Sequence, residues 1–173
     1  MRIEETLISG CSVLHLDRHV DDRGIFFELF QSTRYKSQLP EFNLLQINSS
    51  ISHKYTVRGM HYAPYTKVVA CLHGLVFDVV VDMRADSPTY RKWVAVDLTP
   101  YNEAKQIIVP AGCAHGFMAM EPDSVVVYCQ NATYKPGVEI DYNYLDPKFG
   151  IEWPKTPYVI LSKKDQEAKF LGN

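Results

Sequence analysis

The sequence predicts an all-β fold, a sandwich or a barrel, and three observations carry the prediction. Between about residue 24 and residue 153 the apolar residues fall in short runs of strand length. Clusters of Gly, Pro, Asp, Asn and Ser separate the runs at a regular spacing. Helix signals are few and short.

The runs follow one another along the chain. They are "GIFFELF", "LLQINSSIS", "YTVRGMHY", "KVVACLHG", "LVFDVVVDM", "KWVAVDL", "KQIIVP", "HGFMAM" and "SVVVYCQNATY". In the first, Phe26 and Glu28 fall on one strand face and Ile25 and Phe27 on the other. A strand this apolar on both faces does not stay a solvated edge, so it is expected to pair across a two-fold dimer and to lend residues to the partner's site. "STRYKSQLP", residues 32–40, holds one helical turn or two, ended by Pro40. "PYNEAKQ", residues 100–106, has a Pro at a helix start but is short enough for a loop or a 3₁₀ turn. "SKKDQEAKFL", residues 162–171, is the strongest helix signal, with Ser162 as N-cap. Before it, "IEWPKTPYVILSKKD" reads as an extended segment crossing the body.

The chain has 173 residues, enough for one domain spanning 1–173 with a substantial core. Hydrophobic residues make up 46% and charged residues 22%, which is globular composition. The formal net charge is −2 and no Lys/Arg-rich run occurs, so nothing points to nucleic acid. The longest apolar runs are too short and too interrupted for a membrane span. "MRIEETLISG" lacks the apolar region of a signal peptide. The expectation is a soluble, cytoplasmic protein. Cys11, Cys71, Cys113 and Cys129 are scattered and form no CxxC pair, so they read as buried thiols in a reducing compartment.

Several polar groups sit where strands are expected. Lys67 opens "KVVACL", and a lysine that cannot reach water is costly unless paired. Its bland reading is an edge lysine whose ammonium reaches solvent. Tyr128 shares a face with Val126 and Gln130; alone, it reads as a core tyrosine bonded to a carbonyl. In "VRGMHY" a regular strand would point Arg58 and His61 to opposite faces. A bulge at Gly59 would turn both inward and set an anion site beside a titratable group. Taken alone, His61 reads as a structural histidine.

"VPAGCAHGF", residues 109–117, has the P-x-G-x-x-H spacing of the second cupin motif. The H-x-H of the first motif is absent: Tyr62 and Ala63 follow His61, and His73 stands between Leu72 and Gly74. A catalytic metal usually needs three protein ligands. The sequence therefore predicts a cupin-type jelly roll with a few short helices, including one near the C-terminus, and no metal.

"DDRGIFFELF", "VRGMHY", "GLVFDVVVDMRADSPTYRKWVAVDL", "IIVPAGCAHGF", "YLDPKFGIEWP" and "LSKKD" come in the order and spacing of the dTDP-4-dehydrorhamnose 3,5-epimerases. The resemblance runs from about Asp21 to Asp165. It implies a metal-free, cofactor-free cupin-type enzyme that acts on a nucleotide sugar as a homodimer with exchanged N-terminal strands. By position, it implies His61 as general base, Asp165 as its carboxylate partner, Lys67 facing the sugar ketone oxygen and Tyr128 reprotonating carbon from the opposite face. His115 matches a second active-site histidine, with Asp78 as its partner. Arg23, Phe26, Glu28, Gln46, Asn48 and Arg58 match positions that hold the nucleotide, and Tyr134 and Glu139 match a segment lining the same site.

The chemistry gives these residue types a reason. Removing a proton from carbon beside a ketone needs a base poised near neutral pH, which an oriented His supplies. The enolate places charge on the ketone oxygen, where a fixed cation stabilises it. Inversion needs a donor on the other face. Arginines suit a diphosphate. No G-x-G-x-x-G fingerprint of a dinucleotide site occurs.

The chain also departs from the family pattern. Ala63 stands where Gln is usual, "HYAPYTK" replaces a longer loop ending Gln-Gly-Lys, Ala70 replaces an Arg, and Tyr144-Leu145-Asp146 replaces Trp-Asn-Asp. These changes bear on the substrate and on the number of carbons epimerised. The competing functions are an epimerase acting at one carbon or on another 4-keto sugar, a non-catalytic sugar-nucleotide-binding cupin, and a metal-dependent cupin oxygenase. The set His61, Lys67, Tyr128 and Asp165 disfavours the binding protein, and the missing H-x-H disfavours the oxygenase.

Overall fold

The computed structural model describes residues 1–172, the side chain of Gln38 excepted; Asn173, the last residue of the expected domain, lies outside the described residues. Two antiparallel sheets pack face to face as a cupin-type jelly roll. The strands are β1 (Arg2–Glu5), β2 (Ser12–His15), β3 (Arg18–Asp21), β4 (Gly24–Phe27), β5 (Gln46–Ser52), β6 (Val57–Ala63) and β7 (Lys67–His73). They continue as β8 (Val76–Asp82), β9 (Trp93–Leu98), β10 (Lys105–Val109), β11 (Cys113–Ala119), β12 (Ser124–Gln130) and β13 (Ile140–Asp141). The helices are α1 (Ser32–Gln38) and α2 (Lys163–Gln166). One sheet has the order β1-β2-β10-β7-β12-β5, the other β13-β6-β11-β8-β9. The hairpin β3–β4 belongs to neither.

Val69, Ile107 and Val126 of the first sheet meet Val80, Leu98 and Phe117 of the second in the central core. The outer faces are covered too. Tyr35 of α1 and Phe42 pack against Val68, Ile108 and Val127. Phe149, Tyr144 and Trp153 pack against Val79, Val81 and Ala114. Strands buried on both faces read as continuous apolar runs, which is why "VFDVVVD" shows little alternation.

Each expected strand forms, most with trimmed ends; β6 runs on to Ala63 and β11 begins earlier, at Cys113. Strands also form ahead of residue 24, where short runs mixed with charged residues hid β1, β2 and β3. The expected helix over 162–171 shrinks to α2, although Ser162 does cap it, accepting from the Asp165 N–H at 3.1 Å. The chain leaves the helix because Lys169 bridges Tyr142 and its carbonyl accepts from the Asn143 N–H at 3.0 Å. Residues 100–104 are a loop, and β10 begins at Lys105. No helix among the described residues is long and apolar enough to cross a membrane.

Candidate active site

One end of the sandwich is polar inside. On β6 and β11, His61 and His115 are direct cross-strand partners, so their side chains share a face. Beyond this pair the register shifts: Gly59 and Met60 together oppose Gly116. This is the bulge expected at Gly59. Its φ is +140°, and a Cβ there would lie 2.6 Å from the Gly116 Cα, so only glycine fits. As a result Arg58 and His61 both reach one cavity of about 320 Å³, a volume in the range of small-molecule sites.

The other sheet supplies the facing wall. Lys67 pairs with Gln130 across β7 and β12, and Tyr128 pairs with Asn48 across β12 and β5. All four line the cavity, with Ser50 two residues beyond Asn48. Lys67 is only 5% exposed, and β7 lies inside its sheet between β10 and β12. The edge-lysine reading is therefore replaced by a buried cation. The histidines thus stand on one sheet, and Lys67 and Tyr128 on the other.

Each titratable group has a partner. His61 Nε2 lies 2.7 Å from Asp165 Oδ1. A carboxylate can only accept, so Nε2 carries the proton and Nδ1 is left as the basic nitrogen. Burial opposes the charge of Asp165, but the hydrogen bond and charge of His61, with Ser162 and Lys164, outweigh it and hold its carboxyl below the ordinary value. Asp141 Oδ1 stands 3.7 Å from the same Nε2 and 2.9 Å from Lys164 Nζ. His115 Nε2 lies 3.0 Å from both oxygens of the fully buried Asp78. Burial pushes the Asp78 carboxyl up, against the pull of His115.

The Tyr128 hydroxyl bonds Ser50 Oγ at 3.1 Å, a side-chain partner instead of a carbonyl. Burial pushes its phenol well above the usual tyrosine range, so it stays a neutral donor at working pH. Lys67 Nζ donates to Glu139 Oε1 at 3.3 Å. Burial lowers the Lys67 ammonium, and Glu139 works against that. Arg58 is held by Ser52 Oγ at 3.0 Å and the Ile51 carbonyl at 3.3 Å. It forms no ion pair with a carboxylate among the described residues, so its charge is available to an anion.

The cavity thus gathers His61, Lys67, Tyr128, Asp165, His115, Asn48, Arg58 and Glu139 from the expected set. Gln46 stands one step behind, bonded to Asn48 Oδ1 at 2.9 Å and to the Tyr134 N–H at 2.7 Å. The Tyr134 side chain is exposed. Arg23, Phe26 and Glu28 do not reach this cavity. Arg23 pairs with Asp21 at 2.6 Å, Glu28 pairs with Arg34 at 2.9 Å, and Phe26 is 70% exposed.

Ser50, Phe117, Gln130, Ser162 and Lys164 also line the cavity, although the sequence reading assigned none of them to the site. A period-two signal points to three of them: Ser50 follows Asn48, Phe117 follows His115 and Gln130 follows Tyr128 at that step. Ser162 caps the short helix that carries Asp165, and Lys164 precedes Asp165 on it. Asp141 carries no sequence signal; only the β13–β6 pairing brings it opposite His61. Among the described residues, no group of three His, Cys, Asp or Glu side chains is arranged to hold a metal ion.

Comparison with known proteins agrees with this geometry. The sequence profile of the dTDP-4-dehydrorhamnose 3,5-epimerase family matches residues 5–173. A dTDP-4-dehydrorhamnose 3,5-epimerase of Sinorhizobium fredii is 42% identical, over 99% of this chain and 90% of that protein. A dTDP-4-dehydrorhamnose 3-epimerase of Streptomyces niveus is 34% identical, over 99% of this chain and 84% of that protein. The crystal structure of a dTDP-6-deoxy-D-glucose-3,5-epimerase from Legionella pneumophila, in complex with dTDP-4-keto-L-rhamnose, superposes with a TM-score of 0.93 at 38% identity, covering 98% of this chain and 92% of that one. Sequence, fold and relatives converge, and the chain belongs to the dTDP-4-dehydrorhamnose 3,5-epimerase family.

Proposed function

We propose that this isomerase inverts carbons 3 and 5 of dTDP-4-dehydro-6-deoxyglucose, yielding dTDP-4-dehydro-L-rhamnose. The observation that carries the reading is the placement of His61 and Tyr128 on opposite sheets of one cavity, with Lys67 beside Tyr128. A sugar lying between the sheets offers one ring face to each. His61 Nδ1 takes the proton from carbon beside the ketone, while Asp165 orients the ring and stabilises the imidazolium. The electrons move into the ketone, and the Lys67 ammonium stabilises the enolate oxygen. Tyr128 then gives its phenolic proton to the carbon from the other face; the His61 imidazolium releases its proton to solvent and Tyr128 takes one up, which resets both groups for the second carbon. Carbons 3 and 5 flank the same ketone, so one Lys67 serves both. No step uses a metal or a redox cofactor.

Arg58, Asn48 and Gln46 are the side chains for the diphosphate and base. Arg23, Phe26 and Glu28 act in trans. In this reading the chain is a dimer in which the β3–β4 hairpin crosses to the partner's cavity. Support comes from the hairpin, which joins neither large sheet and exposes Val20 and Phe26, and from β5, an outer strand exposing Ile47 and Ile51. The whole chain works as one catalytic domain. Its place is the cytoplasm, in keeping with four unpaired, buried cysteines.

A second reading, inversion at carbon 3 alone, draws on the Streptomyces niveus relative, which bears that narrower name. Incubation with dTDP-4-keto-6-deoxyglucose, followed by proton NMR of the product sugar, separates them. The double inversion predicts ring couplings of the L-rhamno product. A product altered at carbon 3 alone installs the second reading, and an unchanged sugar refutes both.

A further inference from the structure

Behind the cavity wall sits a residue that the mechanism above does not use. Tyr65 lies in the short connection between β6 and β7, and it is 8% exposed. The connection is fixed on both sides: the Thr66 N–H donates to Asn131 Oδ1 at 2.9 Å, and Thr66 Oγ1 accepts from the Ala111 N–H at 3.3 Å. The Tyr65 hydroxyl donates to Glu139 Oε1, the same oxygen that accepts from Lys67 Nζ at 3.3 Å. Its ring offers a face to Lys67 Nζ, 5.2 Å from the ring centroid. Lys67 and Glu139 line the cavity and Tyr65 does not.

This arrangement addresses a conflict in the chemistry. A buried lysine needs a counter-ion to stay charged. Yet a carboxylate that grips it tightly competes with the enolate oxygen for the same N–H groups. Charge-assisted N–H···O contacts commonly close to about 2.7–2.9 Å, and the Lys67–Glu139 contact is longer, at 3.3 Å. A second donor on Oε1 takes up part of that oxygen's charge, and the ring face supports the ammonium in its place. We propose that Tyr65 is a positioning residue for the proton-abstraction reaction: it divides the charge of Glu139 so that Lys67 stays ionised but free to turn to the substrate oxygen. The proposal rests on the functional reading above. The other groups facing Lys67 are Gln130, its cross-strand partner, and Lys164, whose charge opposes its ionisation. Tyr134, beyond β12, lies near enough to oppose ionisation of the Tyr65 phenol.

The test uses two readouts on the full-length protein. The first is the titration of Lys67 Nζ by NMR of [15N]lysine-labelled protein without substrate, assigned with Lys67→Arg. The second is kcat and KM for dTDP-4-keto-6-deoxyglucose. Tyr65→Phe keeps the ring and removes the donor, so Glu139 acts on Lys67 with its full charge. The Lys67 midpoint then rises by about half a pH unit or more. kcat falls roughly 3- to 10-fold while KM stays within about twofold, because the loss falls on developing charge. Replacing Tyr65 with 3-fluorotyrosine preserves the shape and strengthens the donor, and the Lys67 midpoint moves down. Equal midpoints in the wild type and either variant, or a kcat unchanged by Tyr65→Phe, overturn the proposal. A wild-type protein that leaves the sugar unchanged refutes the functional reading instead, and the titration still decides whether Tyr65 divides the charge.

Discussion

His61 and Asp165 stand 104 positions apart in the chain and 2.7 Å apart in the fold. Asp165→Asn replaces an acceptor-only carboxylate with an amide that can also donate to Nε2, so the imidazole loses its fixed tautomer and its ion partner. Epimerisation by this variant is expected to fall on the order of 10²–10⁴-fold with KM little changed, because a general-base histidine in the wrong tautomer cannot take the proton. Steady-state kinetics check it; a wild-type kcat would show Asp165 to be a bystander. The sequence supplied the candidates at this scale, but only through family motifs. His61, Lys67 and Tyr128 each had an ordinary structural reading when taken alone. What decided for the site was information a single chain position does not carry: that β7 is an inner strand, that Tyr128 meets Ser50, and that Arg58 is held by a hydroxyl and a carbonyl with no carboxylate partner among the described residues.

The elements were readable wherever apolar runs met turn residues, so β5 to β12 follow the sequence closely. They were unreadable where tertiary pairing sets the boundary, as at β13 and the end of α2. Between β8 and β9 a turn is held by one carboxylate. Asp82 is fully buried and accepts from the Arg84 N–H at 3.0 Å, Arg84 Nε at 2.8 Å and Thr89 Oγ1 at 2.7 Å. Burial opposes its charge, and these donors, with Ser87, overcome burial and depress its pKa strongly. A depressed carboxylate stabilises the fold above its unfolded value, about 3.9, and that contribution is lost as pH falls below it toward the folded value. Asp82→Ala leaves Arg84 and two hydroxyls without their acceptor, and is expected to cost about 3 kcal/mol near neutral pH. Urea unfolding at a series of pH values checks both points. The gap between wild type and variant should narrow below about pH 4; a gap independent of pH would mean that packing, not charge, holds the turn.

Across the whole molecule, the sandwich turns two walls of different chemistry toward one another, and the β3–β4 hairpin joins neither sheet. Dimerisation was argued in the sequence from the apolar character of "GIFFELF", and the exposed Phe26 and Ile47 carry the same argument in the fold. Sedimentation at micromolar concentration is expected to show a dimer, and Ile47→Lys on the outer strand is expected to weaken it and to lower activity together. A fully active monomer would remove the hairpin from the site. In the proposed reaction, proton removal and proton return occur from opposite sheets. The most direct measurement of this is proton NMR of dTDP-4-keto-6-deoxyglucose in deuterated water with wild type, His61→Asn and Tyr128→Phe. Wild type is predicted to place deuterium at carbons 3 and 5 with inversion. His61→Asn should lose exchange at both by about 10²–10⁴-fold, and Tyr128→Phe should keep exchange while inversion falls further. Exchange and inversion falling together in Tyr128→Phe, or surviving together in His61→Asn, would contradict the account.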